Sequence, residues 1–222
     1  MVFIFDLDHT LLDTTKLMRA YVRDVLRPLG VTWPVFHEAL MRDHDRRTLR
    51  KPTTPRSIFR ALSELTGKTH APQVEEKFLQ YVRGNAHTFF YPDVFHVLPA
   101  LEGKKILLTK GSRAIQQAKV EHKSVKSLFN HVYVTPHLKA GMLKKIAARA
   151  RDEKLIFVDD WHKEHRAALQ VIPGLVSVHI VRKGSEREPF AHPRCFVVQN
   201  LQQLKRITPL LIVSRHAKRK HR

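Results

Sequence analysis

The chain begins with a strand that cannot be left at a surface. Val2-Phe3-Ile4-Phe5 is an unbroken apolar, β-prone run, the pattern of a strand covered on both faces in the middle of a parallel sheet. It runs directly into Asp6-Leu7-Asp8. Carboxylates at the end of a buried strand must be neutralised, and a cation does this with the fewest side chains. Side chains two apart on a strand share a face. Past the strand end, the second acid can turn in beside the first or offer its backbone carbonyl. Oxygen ligands alone suit Mg²⁺, which takes few protein ligands and keeps its waters. From these residues two readings stand: a metal pair, or a strand end capped by Asp6 with a turn begun by Asp8.

Beyond this strand the chain divides in two. Residues 16–28 place Leu17, Met18, Tyr21, Val22, Val25 and Leu26 on one helical face, closed by Pro28 and Gly30. A second helix is predicted from Trp33 or Pro34 to about Met41. The basic segment Arg42–Arg56 reads mostly as loop, either solvated or reaching over a site to pair with a second phosphate or carboxylate. Thr54-Pro55 opens a helix stopped at Gly67, and Ala71-Pro72 opens another stopped at Gly84. From about residue 92 the period changes. A short helix ends at Glu102-Gly103. Strands over 105–109, 131–134, 154–158, 176–181 and 195–198 then alternate with helices over 112–123, 141–151, 163–170 and 200–211. The expectation is an α/β fold. A Rossmann-like parallel sheet in three α/β/α layers is built from residues 1–14 and 92–213, with a small all-helical insertion at 15–91 and a basic, disordered tail at 214–222. Sites in such sheets lie beyond the carboxyl ends of the strands, which brings Asp6, Thr109 and Asp159 to one rim.

Two further stretches sit at that rim. Leu107-Leu108-Thr109-Lys110-Gly111-Ser112 puts a hydroxyl at a strand end and a helix N-terminus just beyond it. This is either a phosphate cradle or an ordinary strand–helix turn with Ser112 as N-cap. Phe157-Val158-Asp159-Asp160 is a second acid pair at the end of an apolar strand. Together with Asp6-Leu7-Asp8-His9-Thr10-Leu11-Leu12 and with Lys139 in His137-Leu138-Lys139-Ala140-Gly141, these resemble, in order, the four motifs of the haloacid dehalogenase-like superfamily.

The resemblance implies a chemistry. Asp6 is the nucleophile that forms an aspartyl-phosphate, and Asp8 is the general acid for the leaving oxygen and then the base for water. Thr109, with the amides of Lys110 and Gly111, holds the transferred phosphoryl group. Lys139 neutralises nucleophile and phosphate together, while Lys144 and Lys145 face solvent. Asp160 is the main metal ligand and Asp159 a supporting one, so that Mg²⁺ bridges Asp6, the Asp8 carbonyl, Asp160 and the phosphate. Dehalogenases of the family lack the second acid and its ATP-driven pumps carry Thr there. Asp8 thus points to a phosphatase or phosphotransferase acting on a small phosphorylated metabolite. By position, the insertion corresponds to the mobile cap of one branch. Relatives often carry an acid four residues beyond the last motif. Glu164 stands there and is read as surface helix, with His162 and His165 as solvated neighbours of the acid pair.

Composition adds one anomaly and several exclusions. Lys and Arg number 40 against 20 acids, a formal charge of +20. The excess is spread along the chain, with fourteen Lys/Arg and seven acids between 15 and 91. Such a surface attracts polyanions, so non-specific nucleic-acid binding through surface and tail, or processing of a phosphorylated nucleic-acid end, is the alternative function. No apolar run is long enough to span a membrane and the first residues do not read as a signal peptide. The one cysteine, Cys195, reads as a buried thiol and fits a reducing cytoplasm. Fifteen histidines suggest zinc, but no pair has the helical spacing and acid a zinc site needs.

Overall fold

The computed structural model describes residues 1–45, 52–69, 72–151, 153–185 and 189–213. The tail from 214 and the centre of the basic segment, 46–51, lie outside the described residues. Six strands form one sheet: β1 (Val2–Phe5), β2 (Lys104–Lys110), β3 (His131–Thr135), β4 (Leu155–Asp159), β5 (Val176–Ile180) and β6 (Cys195–Val198), in the order β3-β2-β1-β4-β5-β6. Every pairing is parallel. The first strand read in the sequence is therefore central, and it is buried along its whole length.

Because successive side chains alternate across the sheet, β1 feeds two cores. Phe3 and Phe5 join Leu107, Ile156, Val158 and Val178 on one face, while Val2 and Ile4 join Ile106, Leu108, Leu155 and Phe157 on the other. The second face is covered by α8 (Ala140–Ala150) and α9 (His162–Val171) through Leu143, Ile146 and Ala168. The first is covered by α5 (Val94–Ala100), α6 (Arg113–Val120), α7 (Lys123–Lys126) and α10 (Leu201–Val213). That makes the expected three layers. Each fully buried large side chain here contributes roughly 1.5–3 kcal/mol.

The helices between β1 and α5 are α1 (Thr14–Tyr21), α2 (Trp33–Asp45), α3 (Pro55–Thr66) and α4 (Pro72–Asn85). Tyr21 sits at their centre, its ring 5.0 Å from Phe78 and 5.9 Å from Phe36. The chain leaves and re-enters the sheet side by side: Leu12 bridges Phe90, Asp13 N–H donates to Phe89 O, and Tyr91 N–H donates to Leu11 O.

Four local expectations need correction. The first helix is not uniform to residue 28: it widens into a π-turn over Val22–Leu26 and tightens into a 3₁₀ turn over Arg27–Leu29. Pro28 is the cause, since it has no N–H and its ring crowds the carbonyl four residues back. The second helix passes Met41 to Asp45, helped by a Glu38–Arg42 ion pair one turn apart at 2.6 Å. Gly84 does not stop α4, which runs to Asn85 and on through a 3₁₀ turn at Ala86–Phe89. Cys195 is half-buried, because β6 is an edge strand.

The start of α3 is as read, and more complete. Thr54 Oγ1 accepts the Ser57 N–H at 3.1 Å and Ser57 Oγ accepts the Thr54 N–H at 3.0 Å, a reciprocal capping box. Thr54→Ala is expected to cost about 1 kcal/mol, lowering the urea midpoint with the slope of the transition unchanged. An unchanged midpoint would mean that this cap contributes nothing.

Candidate active site

Adjacent strands in register bring the acids together. Phe5 pairs with Val158, and the Asp6 N–H donates to Val158 O at 2.9 Å, so Asp6 and the end of β4 lie side by side. Carboxylate oxygens of Asp6, Asp159 and Asp160 lie within 4.8 Å of one another and all three residues are buried. Among the described residues this is the one grouping of His, Cys, Asp or Glu able to hold a metal ion, and no histidine belongs to it.

One ammonium group stands inside the cluster. Lys139, at the N-cap of α8, donates from Nζ to Asp6 Oδ1 at 2.5 Å and to Asp159 Oδ2 at 2.6 Å. Its backbone N–H donates to Glu164 Oε2 at 2.8 Å, and Asp159 Oδ1 accepts the Trp161 N–H at 2.8 Å. Burial first, then repulsion from Asp159 and Asp8, pushes the Asp6 carboxyl up to about 7 against the pull of Lys139. For Lys139 burial acts to lower the value, but Asp159 and Asp6 outweigh it and hold the ammonium charged.

The second acid is held apart from this cluster. Asp8 accepts from Lys119 Nζ at 2.5 Å, from Gln116 Nε2 at 2.7 Å and from the Thr14 hydroxyl. Burial alone would raise its carboxyl, yet Lys119 and Gln116 hold it well below the usual carboxylate range. The Gln116 amide also donates to Thr109 Oγ1 at 2.6 Å and to Lys110 O at 2.9 Å, tying β2 to the Asp8 loop. Gly111 makes this possible. Its φ is +150°, and a Cβ there would meet the Gln116 side chain at 3.2 Å. The residue after Asp8 is also unusual: His9 has φ +61°, a left-handed conformation that L-residues seldom adopt.

Behind the second acid pair lie two buried histidines. His165 contacts Asp159 O through Nε2 at 2.9 Å and Ser177 Oγ through Nδ1 at 2.6 Å, while His179 contacts Asp160 O through Nε2 at 2.9 Å and accepts the Phe190 N–H at Nδ1. A carbonyl only accepts, so both rings carry their proton on Nε2. Burial holds His165 neutral, its value down at about 4.

These contacts correct three expectations. Glu164 is not surface helix: it is buried on α9 against Lys139. His165 is not solvated but fully buried. The Gly111 N–H donates to Thr135 O at 2.9 Å rather than into the site. Lys144 and Lys145 are exposed, as read. Sequence reasoning missed Gln116, Lys119 and His179. For the first two the available signal was polar residues three apart on a helix whose other inward positions, Ile115, Ala118 and Val120, are apolar. The site opens into a cleft of about 500 Å³ lined by Asp6, Asp160, Lys110, Trp161 and Lys163, with His44 and Pro52 of the helical insertion at its edge. No described helix is long and apolar enough to cross a membrane.

Comparison with known proteins places this geometry. The sequence pattern of the haloacid dehalogenase-like hydrolases matches residues 3–171. None of the curated proteins matches the sequence. Among solved structures, the HAD-hydrolase YfnB of Bacillus subtilis, described as bound to magnesium, superposes with a TM-score of 0.67 at 13% identity, over 93% of this chain and 97% of that one. L-2-haloacid dehalogenase of Xanthobacter autotrophicus gives 0.65 at 19% identity, over 94% and 98%. A haloacid dehalogenase-like hydrolase of Burkholderia xenovorans gives 0.67 at 16% identity, over 96% and 98%. At these identities the likeness is one of fold.

The raised Asp6 carboxyl is testable by itself. Unfolded, the Asp6 carboxyl takes its proton near 4; folded, near 7. Between those values the folded state binds the extra proton, so this group's contribution to stability falls as pH rises. Without divalent cations, Asp6→Asn is therefore expected to raise the melting temperature by a few degrees. The gain should be absent at pH 4 and complete by pH 8. A variant no more stable than the wild type at pH 8 would refute that upward shift.

Proposed function

Because the chain belongs to the haloacid dehalogenase-like hydrolase family, we propose that it is a Mg²⁺-dependent phosphohydrolase of a small phosphorylated metabolite, working through an aspartyl-phosphate on Asp6. The observation that carries this reading is the cluster itself: three buried carboxylates, oxygen donors only, two of which share the Lys139 ammonium. A set of clustered carboxylates that offers oxygen donors only fits a hard divalent cation. Asp6, Asp160 and the Asp8 carbonyl would hold it, with Asp159 in support. When bound, Mg²⁺ supplies charge neutralisation to the phosphoryl oxygens.

The chain's own residues divide the remaining work. An Asp6 oxygen attacks phosphorus while the bond to the leaving oxygen breaks. Lys139 lets two anions approach each other, and the Thr109 hydroxyl, whose oxygen already accepts from Gln116, keeps its hydrogen for a phosphoryl oxygen. Water then attacks phosphorus, the bond between the Asp6 oxygen and phosphorus breaks to return the carboxylate, and Asp8 takes the proton of the water. The pull of Lys119 keeps Asp8 ionised, which suits that second step. Protonating the leaving oxygen requires Asp8 to exchange Lys119 for a proton first. The helical insertion, whose His44 reaches the cleft edge, serves as the cap.

Release of phosphate from an aryl phosphate, with Mg²⁺ and with chelator, tests this. Phosphate release is expected only with the cation, and Asp6→Asn should lower kcat by roughly 10³-fold or more. Asp6-dependent release of chloride from 2-chloropropionate without any phosphate release would replace the reading by a dehalogenase one.

The net charge of +20 favours a second role, contact with nucleic acid through the phosphate backbone. It predicts binding to DNA or RNA with a steep salt dependence. Absence of binding at low salt ends that reading.

A further inference from the structure

The acid pair at the end of β4 is gripped from behind by two imidazoles. His165 on α9 and His179 on β5 are fully buried. Each turns its Nε2 to a backbone carbonyl at 2.9 Å, His165 to Asp159 O and His179 to Asp160 O. Both rings are also anchored on the far side. Ser177 Oγ lies 2.6 Å from His165 Nδ1, and the Phe190 N–H donates to His179 Nδ1 at 2.9 Å.

The two carbonyls belong to different peptide planes. Asp159 O lies in the plane that enters Asp160, and Asp160 O in the plane that leaves it. The leaving plane is held a second time, because its N–H, that of Trp161, donates to Asp159 Oδ1 at 2.8 Å. A residue has two soft backbone dihedrals, and both of those of Asp160 lie between these planes. Holding the planes fixes the direction in which the Asp160 side chain leaves the backbone.

Folding alone does not call for this construction. Ser177 pairs in register with Phe157 and His179 with Asp159, so both point to the face whose core holds Phe157, Val2 and Ile4. Apolar residues at these places would extend that core, and replacing a buried polar pair by apolar groups of like shape is often neutral or better for stability. Three buried polar side chains instead serve the one place in the fold where carboxylates of Asp6, Asp159 and Asp160 lie within 4.8 Å of one another. Mg²⁺ demands near-ideal octahedral geometry, so a misdirected carboxylate weakens its site.

We propose that His165 and His179 are positioning residues that aim the Asp160 carboxylate by clamping the peptide planes on either side of it, and so set the affinity of the site for a hard divalent cation that neither ring touches. The inference rests on the metal site of the phosphohydrolase reading and deepens it.

Cation binding without substrate tests the clamp. Mn²⁺, which accepts the same octahedral oxygen set as Mg²⁺, is titrated into each protein, the free ion is read by electron paramagnetic resonance, and Mg²⁺ then displaces it. A glutamine amide reaches about as far as histidine Nε2 and an asparagine only as far as Nδ1. His165→Gln and His179→Gln therefore keep a donor for the carbonyl. His165→Asn and His179→Asn keep only the partner of Ser177 or Phe190. The Asn variants are expected to bind either cation roughly tenfold or more weakly than wild type, and the Gln variants within about threefold of it. Urea midpoints taken without cation check that each variant is folded. Where a histidine variant does not fold, Ser177→Ala removes the hydroxyl behind His165 and keeps both rings; a few-fold loss of affinity is expected. Equal affinity of Asn and Gln variants, whether at wild-type strength or weakened alike, overturns the proposal, as does wild-type affinity in Ser177→Ala. The aryl phosphate assay separates the two readings. Cation-dependent phosphate release with no difference between Asn and Gln removes only the clamp. The expected difference without phosphate release removes only the phosphohydrolase reading, and a wild type that binds neither ion removes both.

Discussion

The Lys139 ammonium, set between Asp6 and Asp159, is the contact on which the rest of the site depends. Without it three carboxylates would share one buried space, and desolvation alone would drive them to take up protons. With it the Asp6 carboxyl is still pushed up, by burial first and then by Asp159 and Asp8. The lysine is held at three points: Nζ by two carboxylates and the backbone N–H by Glu164. Glu164 therefore places the cation that makes a buried Asp6 carboxylate tolerable, although it lies on a different helix. The two histidines beneath do the corresponding work for Asp159 and Asp160 by holding their backbone carbonyls.

The sheet explains why these groups meet at all. Asp6 and Asp159 come from neighbouring parallel strands whose register leaves both at the same rim, and Thr109 ends the strand on the other side of β1. Parallel pairing puts every carboxyl end on one side. Residues far apart in the chain thus become neighbours by topology rather than by local geometry. A one-residue slip of β1 would turn Phe3 and Phe5 into the space of Val2 and Ile4. The two cores therefore hold the site's spacing.

This division accounts for what could be read from the chain. The order of strands and helices from about residue 92 was legible because two-residue and 3.6-residue periods differ, and the acids were legible because apolar strands rarely end in carboxylates. Thr54-Pro55 gave the start of α3 for a similar reason, since cap chemistry is local. Gln116, Lys119 and His179 were not legible in that way. Each is a polar residue within an otherwise apolar pattern, and its partner lies on a distant segment: Asp8 for Lys119, Asp160 O for His179. Glu164 and His165 misled for the converse reason. Placed next to each other on a charged helix they look solvated, yet α9 turns both toward the β4 end. The π-turn at Val22–Leu26 had a local cause in Pro28, but a single proline does not say whether a helix will end, kink or widen.

Asp8 shows how far identical side chains can be driven apart. Asp6 and Asp8 are two residues apart, the first buried and the second half-buried, yet one carboxyl is pushed up and the other down. The difference lies in the donors each receives. Asp6 shares a single lysine with Asp159, whereas Asp8 has Lys119 to itself and two neutral donors besides. An acid with a cation to itself stays ionised, and a buried acid that shares one with a neighbouring carboxylate takes up its proton more readily. Two of the Asp8 donors, Gln116 and Lys119, come from α6, whose N-terminus follows Thr109 and Gly111. The helix that follows Thr109 thereby also sets the charge state of the second acid. Displacing α6 by a fraction of an ångström would alter both at once. The close fit of Gly111 against Gln116 guards against that displacement.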